Sequence, residues 1–371
     1  MVHFNKDIQE ELIKCTHCGT CRSICTTFAY KGKESYNSRG RIFLLEGLQE
    51  KKIDFDEGII DRIYSCSMCK ACELLCPSSV KFTDMMKCVR NQLASEHIGP
   101  LVNHEEMASS INDSGNIFGK PQKLVDLSPE VEKLPDKAPN LLYLGCTVSA
   151  FQPALANTTI KILREAGYDF TMMKDGEYCC SSFLDLVGLG QNYEAAMKTN
   201  LQRLNSLGVS NVVTLCPFCY GAFHQLSEKA KSMRSQHTTE ILYELVKKGK
   251  IDLEKSFDHT VTYFDPCHLG RYQGMYEVPR KLIKSVPGIE YVDMNRNREK
   301  SMCCGGTIRV PYYDTRSGMS EMIVKDAYES GAEYIITACP SCLHNLSTVS
   351  FEYDIEVINI EDLIAYSMNI L

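Results

Sequence analysis

The sequence predicts a mixed fold: a mainly α-helical, cysteine-rich N-terminal domain, then a duplicated α/β unit with parallel sheets. Three observations predict it. Ten of the nineteen cysteines form one five-cysteine pattern written twice. Each copy is threaded on short apolar runs that alternate with helical stretches. Eight further cysteines form two tightly spaced runs near the N-terminus. The boundaries expected are residues 1–100 for the first domain, 101–139 for a linker, 140–260 for the first repeat and 261–371 for the second.

The bulk properties narrow the function. A chain of 371 residues has room for two or three domains. Its net charge of -7 argues against a nucleic-acid binder. No apolar run approaches the length of a membrane span. The opening MVHFNKDIQEELIKC lacks a signal-peptide core, so a cytoplasmic location is expected, with attachment to a membrane only through a partner. Thiols stay reduced there, and dense cysteine reads as metal binding before disulfides.

The N-terminal runs are Cys15-x2-Cys18-x2-Cys21-x3-Cys25 and Cys66-x2-Cys69-x2-Cys72-x3-Cys76-Pro77. This is the spacing of two-cluster bacterial ferredoxins, in which the fourth cysteine of each run ligates the other cluster. Cys15, Cys18, Cys21 and Cys76 are therefore assigned to one cubane [4Fe-4S] cluster, and Cys66, Cys69, Cys72 and Cys25 to the second. Structural zinc sites are the alternative. Thr26 stands where proline usually follows the fourth cysteine. SRGRIFLLEGLQE, residues 38–50, carries the helical stripe Ile42, Leu45, Leu48. FTDMMKCVRNQLASEHIG reads as a helix ending near Gly99-Pro100. Its Cys88 is expected to be an inert core thiol, and His17 a surface or supporting residue.

Residues 100–140 are polar and punctuated by Pro100, Pro121, Pro129, Pro135 and Pro139, the mark of a connecting segment with one short helix. Beyond it, NLLYLGC ends at Cys146, NVVTLCPFC runs into Cys216, TVTYFDPC ends at Cys267, and EYIITACPSC runs into Cys339. Short β-branched and aromatic runs of this kind read as buried parallel strands. ALANTTIKILREAG, YEAAMKTNLQRLNSLG, EVPRKLIKSVPG and GMSEMIVKDAYESG read as the helices between them, each stopped by glycine. Ligands bind at the carboxyl ends of such strands, where these cysteines sit. The first copy is Cys146, Cys179-Cys180 and Cys216-x2-Cys219; the second is Cys267, Cys303-Cys304 and Cys339-x2-Cys342. Five thiols are one too many for a tetrahedral zinc or an ordinary cubane, so each copy is expected to hold an unusual metal cluster.

The doubled pattern, with SRGRIFLLEGL, YFDPCHLGRYQGMYEVPRKLIKSVPG and CCGG, resembles the cysteine-rich CCG-domain family. A ferredoxin module fused to two CCG domains resembles the D-type subunits of heterodisulfide reductases, over nearly the whole chain. The resemblance implies a noncubane [4Fe-4S] cluster on Cys146, Cys179, Cys180, Cys216 and Cys219. It implies another on Cys267, Cys303, Cys304, Cys339 and Cys342. It further implies a disulfide oxidoreductase of methanogenesis, acting within a complex, that reduces the coenzyme M–coenzyme B heterodisulfide or a similar disulfide. The two cubanes would feed it one electron at a time. The departures are Cys-Cys-Ser-Ser in the first copy and TIRVPYY after Gly306 in the second.

His268 and His224 lie near cluster cysteines in sequence and are hypothetical proton donors, with a packed or capping histidine as the ordinary reading. Arg271, Arg309 and Lys325 could meet an acidic substrate group, with a solvated surface charge as the ordinary reading. The chain has no flavin or nucleotide fingerprint. An electron-donating partner is therefore expected, such as a flavoprotein or a b-type cytochrome. The alternative function belongs to another class: a non-catalytic electron-transfer subunit of a flavin-dependent dehydrogenase of the lactate, glycolate or glycerol 3-phosphate type. A thiol:fumarate reductase subunit is a further relative.

Overall fold

The computed structural model describes residues 3–120, 129–230 and 233–371; part of the expected linker, with Pro121, lies outside the described residues. The N-terminal region is helical, as expected. Helices α1 (Lys6–Lys14), α2 (Thr26–Lys31), α3 (Ser38–Gln49), α4 (Glu57–Tyr64), α5 (Ala71–Leu74) and α6 (Phe82–Ser95) surround the two cysteine runs. The stripe Ile42, Leu45 and Leu48 of α3 is buried against Ile8 and Leu12 of α1, Ile63 of α4 and Val89 of α6. The side chains of Asn5, Asn37 and Asp56 cap α1, α3 and α4 by accepting from backbone N–H groups of the first turn.

The segment after Pro100 is more than a connection. It forms the 13-residue helix α7 (Val102–Ser114), which ends at Gly115. Met107, Ala108 and Ile111 of α7 pack with Ile117, Cys179 and Leu184, and Cys179 N donates to Gly115 O at 2.7 Å. The helix is longer than the short one expected in this segment, and its apolar face covers the first repeat.

Each repeat is a four-stranded parallel sheet. The first comprises β1 (Asn140–Tyr143), β2 (Phe170–Thr171), β3 (Asn211–Thr214) and β4 (Arg234–His237), in the order β2-β1-β3-β4. The second comprises β5 (Thr260–Phe264), β6 (Glu290–Tyr291), β7 (Tyr334–Thr337) and β8 (Glu356–Asn359), in the order β6-β5-β7-β8. The four strands expected from their apolar runs are the central ones. Edge strands β2 and β6 are two residues long, too short for periodicity to reveal, and β4 reads RSQH with no apolar signal.

In the first repeat, α8 (Cys146–Phe151) and α9 (Pro153–Glu165) follow β1, and α10 (Ser182–Leu186) and α11 (Gly190–Ser206) precede β3. Then come α12 (Pro217–Ala230) and α13 (Thr238–Lys247). The second repeat carries α14 (Cys267–Gly270), α15 (Glu277–Ile283), α16 (Tyr313–Glu329), α17 (Pro340–Ser347) and α18 (Ile360–Ser367). The repeats meet reciprocally: α9 packs on α18, and α13 on α15. Each element of one repeat thus touches the other's non-equivalent element, as a two-fold relation requires. Leu155, Ile160 and Leu163 of α9, with Ile241 and Leu242 of α13, join Leu282, Leu363 and Ile364 in one core across the boundary.

This boundary also buries a carboxyl group. Thr238 donates its hydroxyl to Glu361 Oε1, while Glu361 Oε2 is buried without a partner. Burial pushes the Glu361 carboxyl up to about 7, against the pull of the Thr238 hydroxyl. A carboxyl raised in the folded state gives stability that is fully present below its unfolded value and lost as pH rises through the folded one. The melting midpoint of the intact protein should therefore fall as pH rises through about 7. Glu361→Gln should flatten that fall and gain most at about pH 8.5. Melting curves of both proteins at about pH 5.5 and 8.5 check this; parallel shifts at both pH values would assign the dependence elsewhere.

Candidate functional site

In a sheet of order β2-β1-β3-β4, connections leave β1 and β3 in opposite directions, so a crevice opens between their carboxyl ends. Cys146 follows β1 and Cys216 follows β3. Pro217 starts α12, which carries Cys219 in its first turn. The Cys179–Cys180 loop enters from the side, with Asn200 Nδ2 donating to Cys179 O at 3.2 Å. All five thiols line one chamber, and the Sγ atoms of Cys219 and Cys180 lie 3.3 Å apart.

The second repeat is built alike. Cys267 follows β5 and Cys339 follows β7, and all five cysteines of the copy line a second chamber. Cys304 Sγ and Cys342 Sγ are 3.3 Å apart, and Asn345 Nδ2 donates to Cys304 O at 3.0 Å. The chambers share walls: Phe218, Gly306 and Ser341 line both. Thr147 and Ser341 approach at 3.4 Å between hydroxyls, and Gln152 Nε2 donates to Pro340 O at 2.9 Å. The carboxyl ends of the two sheets therefore face each other.

Gly145 shows how tightly the first chamber is closed behind Cys146. Its φ of 83° lies in the left-handed half of the map, and a Cβ there would stand 3.1 Å from Cys219 Sγ. The N–H groups of Leu144 and Gly145 donate to the Glu177 carboxylate at 2.6 and 2.7 Å. Burial still pushes that carboxyl up to about 7.

The chemistry of the donor set fits an iron–sulfur group. Hydrogen bonding to neighbouring thiols and burial push Cys146, Cys219, Cys303 and Cys342 well up, while hydrogen bonds from neighbouring thiols bring Cys180 and Cys304 down. Ionised together in so dry a space, five thiolates would require a bound positive charge. Among the described residues, no three His, Cys, Asp or Glu groups are arranged around a single metal ion; the thiols line chambers instead.

In the N-terminal domain, Cys15, Cys18, Cys21 and Cys76 line one cavity, and Cys72, assigned to the other cluster, lines it too. Cys25 feels the charges of Cys69 and Cys66, and Cys72 those of Cys69, Cys66 and Cys25. Burial pushes Cys25 up to about 12, opposed by nearby Arg41. Both runs turn by one device. The residues on either side of the second cysteine, His17 and Gly19 in one run and Met68 and Lys70 in the other, all have positive φ. The ring of His17 stacks on Phe43 at 4.3 Å and meets the Glu46 carboxylate at 3.0 Å, which holds this turn in place.

The two halves of the molecule join at one cysteine loop. Ser67, Met68 and Cys69 carbonyls accept from Thr307 Oγ1 (2.6 Å), Tyr272 OH (2.7 Å) and Arg271 Nε (2.6 Å). Cys303 N donates to Thr26 Oγ1 at 3.0 Å, and Cys69 packs in the same small cluster as Cys303. The Cys66–Cys72 run thus abuts the second chamber, which Ser67 lines. The first chamber meets α7 instead.

His268 is sandwiched between Phe218 (3.7 Å) and Tyr272 (4.2 Å), and its Nε2 is buried without a partner beside the second chamber. Burial, with Arg271 and Lys70 nearby, drives its pKa down to about 3. His224 lies half-exposed on α12, 3.9 Å from Glu228, and lines neither chamber. Lys325 is exposed beside Glu329, the solvated charge expected. Arg271 is instead a half-buried clamp bonded to three carbonyls, of Cys69, Glu299 and Ser301. Arg309 lines the first chamber. No local pattern in the chain marks Phe118 of the connecting segment, or Thr307 next to Gly306, as residues drawn into the site.

Comparison with known proteins agrees with this architecture. The cysteine-rich CCG domain family matches residues 141–224 and 261–347, and the 4Fe-4S dicluster domain matches residues 11–80. The D-type subunit of the dihydromethanophenazine:CoB–CoM heterodisulfide reductase of Methanosarcina acetivorans is 32% identical, over 97% of this chain and 95% of that one. The B-type subunit of the fumarate reductase (CoM/CoB) of Methanothermobacter marburgensis is 26% identical over 96% of this chain and 73% of that one. EtfAB:quinone oxidoreductase of Syntrophomonas wolfei is 26% identical over 79% of this chain and 44% of that one. A hypothetical protein from Helicobacter pylori shares the fold, with a TM-score of 0.60 at 10% identity over 98% of this chain and 73% of that one. Among the described residues no helix is long and apolar enough to cross a membrane. With two cysteine-rich domains behind a dicluster domain, and end-to-end similarity to the Methanosarcina protein, the chain belongs to the family of heterodisulfide reductase D-type subunits, which are iron–sulfur oxidoreductases.

Proposed function

We propose that this chain is the disulfide-reducing component of a redox complex, with the CoB–CoM heterodisulfide or a close analogue as substrate. The observation that carries the proposal is the face-to-face pair of five-thiol chambers sharing Phe218, Gly306 and Ser341. In this reading Cys146, Cys179, Cys180, Cys216 and Cys219 hold one noncubane [4Fe-4S] cluster, and Cys267, Cys303, Cys304, Cys339 and Cys342 the other. Cys15, Cys18, Cys21 and Cys76 hold one cubane; Cys66, Cys69, Cys72 and Cys25 hold the second. When bound, such clusters supply one-electron transfer and thiophilic iron.

The residues of the chain do the rest. A disulfide takes up two electrons and two protons to give two thiols. The contact between Cys69 and Cys303 gives electrons from the N-terminal domain a short entry to the second chamber. Phe218, packed on His268, keeps the partition between chambers apolar and excludes water. With its pKa near 3, His268 stays neutral under ordinary conditions. It then acts as a relay that gives a proton from one ring nitrogen and regains one at the other, rather than as a stored imidazolium. His224, with Glu228 on the outer face of α12, is the more remote candidate. Electrons come from a partner protein that docks on the N-terminal domain.

Low-temperature EPR of the oxidised, iron-replete protein with and without coenzyme M tests the reading. A signal that appears only with the thiol is expected. Full iron occupancy without such a signal would favour a non-catalytic electron relay, the role suggested by the EtfAB:quinone oxidoreductase relative. Gly145→Ala tests the first chamber separately. Its Cβ would press on Cys219 Sγ. Reconstituted protein should lose about four irons, one cluster's worth, while keeping its cubane signals. Unchanged iron content would remove Gly145 from the site's construction.

A further inference from the structure

Arg309 belongs to the second repeat by sequence and to the first repeat's chamber by position. It follows the 3-10 turn Gly306–Ile308 and lines the chamber of Cys146 and its four partners. Phe118 and Phe151 hold the guanidinium, with Cζ 4.6 and 5.8 Å from their ring centres. One of its terminal nitrogens, NH1, is fully buried and has no hydrogen-bond partner. The thiols of Cys146, Cys304 and Cys339 attract it, and the Arg316 cation repels it. A buried N–H donor of a guanidinium left without a partner is costly unless an acceptor arrives to meet it.

The two chambers differ on the Arg309 side. Both present five thiols, yet the atom-free space is ≈ 580 Å³ around the first set and ≈ 290 Å³ around the second. The larger chamber is walled by Met107, Ile117, Phe118 and Phe183, with Arg309 as its cation. An apolar wall with one well-placed charge is the usual form of a small-molecule site.

We infer that Arg309 is the specificity-determining anchor of the first chamber, binding the sulfonate, carboxylate or phosphate of a substrate half whose sulfur faces Cys146 and its partners. The inference rests on the disulfide-reducing reading above and adds the residue that would hold the oxyacid group of such a substrate. It also assigns that group to one chamber of the two.

The test titrates full-length, iron-replete protein anaerobically with 2-mercaptoethanesulfonate and with neutral 2-mercaptoethanol. Binding is followed by calorimetry and by the thiol-dependent EPR signal, in wild type, Arg309→Met and Arg309→Lys. Wild type should bind the sulfonate roughly ten- to a hundredfold more tightly than the neutral thiol. Arg309→Met should erase that preference while keeping its iron and its affinity for 2-mercaptoethanol, and Arg309→Lys should restore part of it. Equal binding of the two thiols by wild type, or a preference that survives in Arg309→Met, overturns the anchor alone. A loss of affinity for both thiols in Arg309→Met, with iron retained, also overturns it, because Arg309 would then act on the cysteine thiolates. Failure of wild type to bind either thiol removes the disulfide reading along with the anchor.

Discussion

The reciprocal packing of α9 on α18 and α13 on α15 is the constraint on which the rest depends. A parallel sheet alone gathers ligands only at its own strand ends. Two such sheets, joined back through a shared core of Leu155, Ile160, Leu282 and Ile364, have their strand ends turned toward one another. The hydroxyls of Thr147 and Ser341 and the ring of Phe218 then fill the narrow space between the chambers. The face-to-face geometry thus follows from an apolar interface that contains no cysteine.

Within that near-symmetry the two sites have diverged by what covers them. The second chamber is sealed by the Cys66–Cys72 loop, fixed through Thr307, Tyr272 and Arg271 to three successive carbonyls. The first is roofed by α7 and by Phe118, and borrows Arg309 from the opposite repeat. Asn200 and Asn345, which hold the carbonyls of Cys179 and Cys304, keep the shared frame in place beneath these differences. One site is built against the ferredoxin-like domain, the other against a helix and a roomier apolar wall.

Much of this was legible in the chain, for reasons that can be named. Cysteine spacing is covalent information and survives any packing, so the repeat and the two N-terminal runs could be read directly. The central strands announced themselves because burial on both faces demands continuous apolar runs such as NLLY and YIIT. The length and packing of helix α7 were obscured because its apolar residues sit among serines, asparagines and glutamates. Arg309 and Arg271 look like surface charges in sequence; their engagement depends on Phe118 and on the Cys69 carbonyl, both far away in the chain. Side chains that serve a neighbouring repeat leave no local signature.

The cysteines are unequally sheltered. Cys18 of the N-terminal domain is exposed, whereas Cys303, Cys304, Cys339 and Cys342 are all buried. A small oxidant such as dioxygen therefore meets Cys18 before it meets the buried thiols of the paired chambers. Damage would begin at the inlet and work inward, cutting off supply while the chambers were still intact. Under oxidative stress the molecule would fall idle before it fell apart, and repair would need to rebuild only its outermost ligand set.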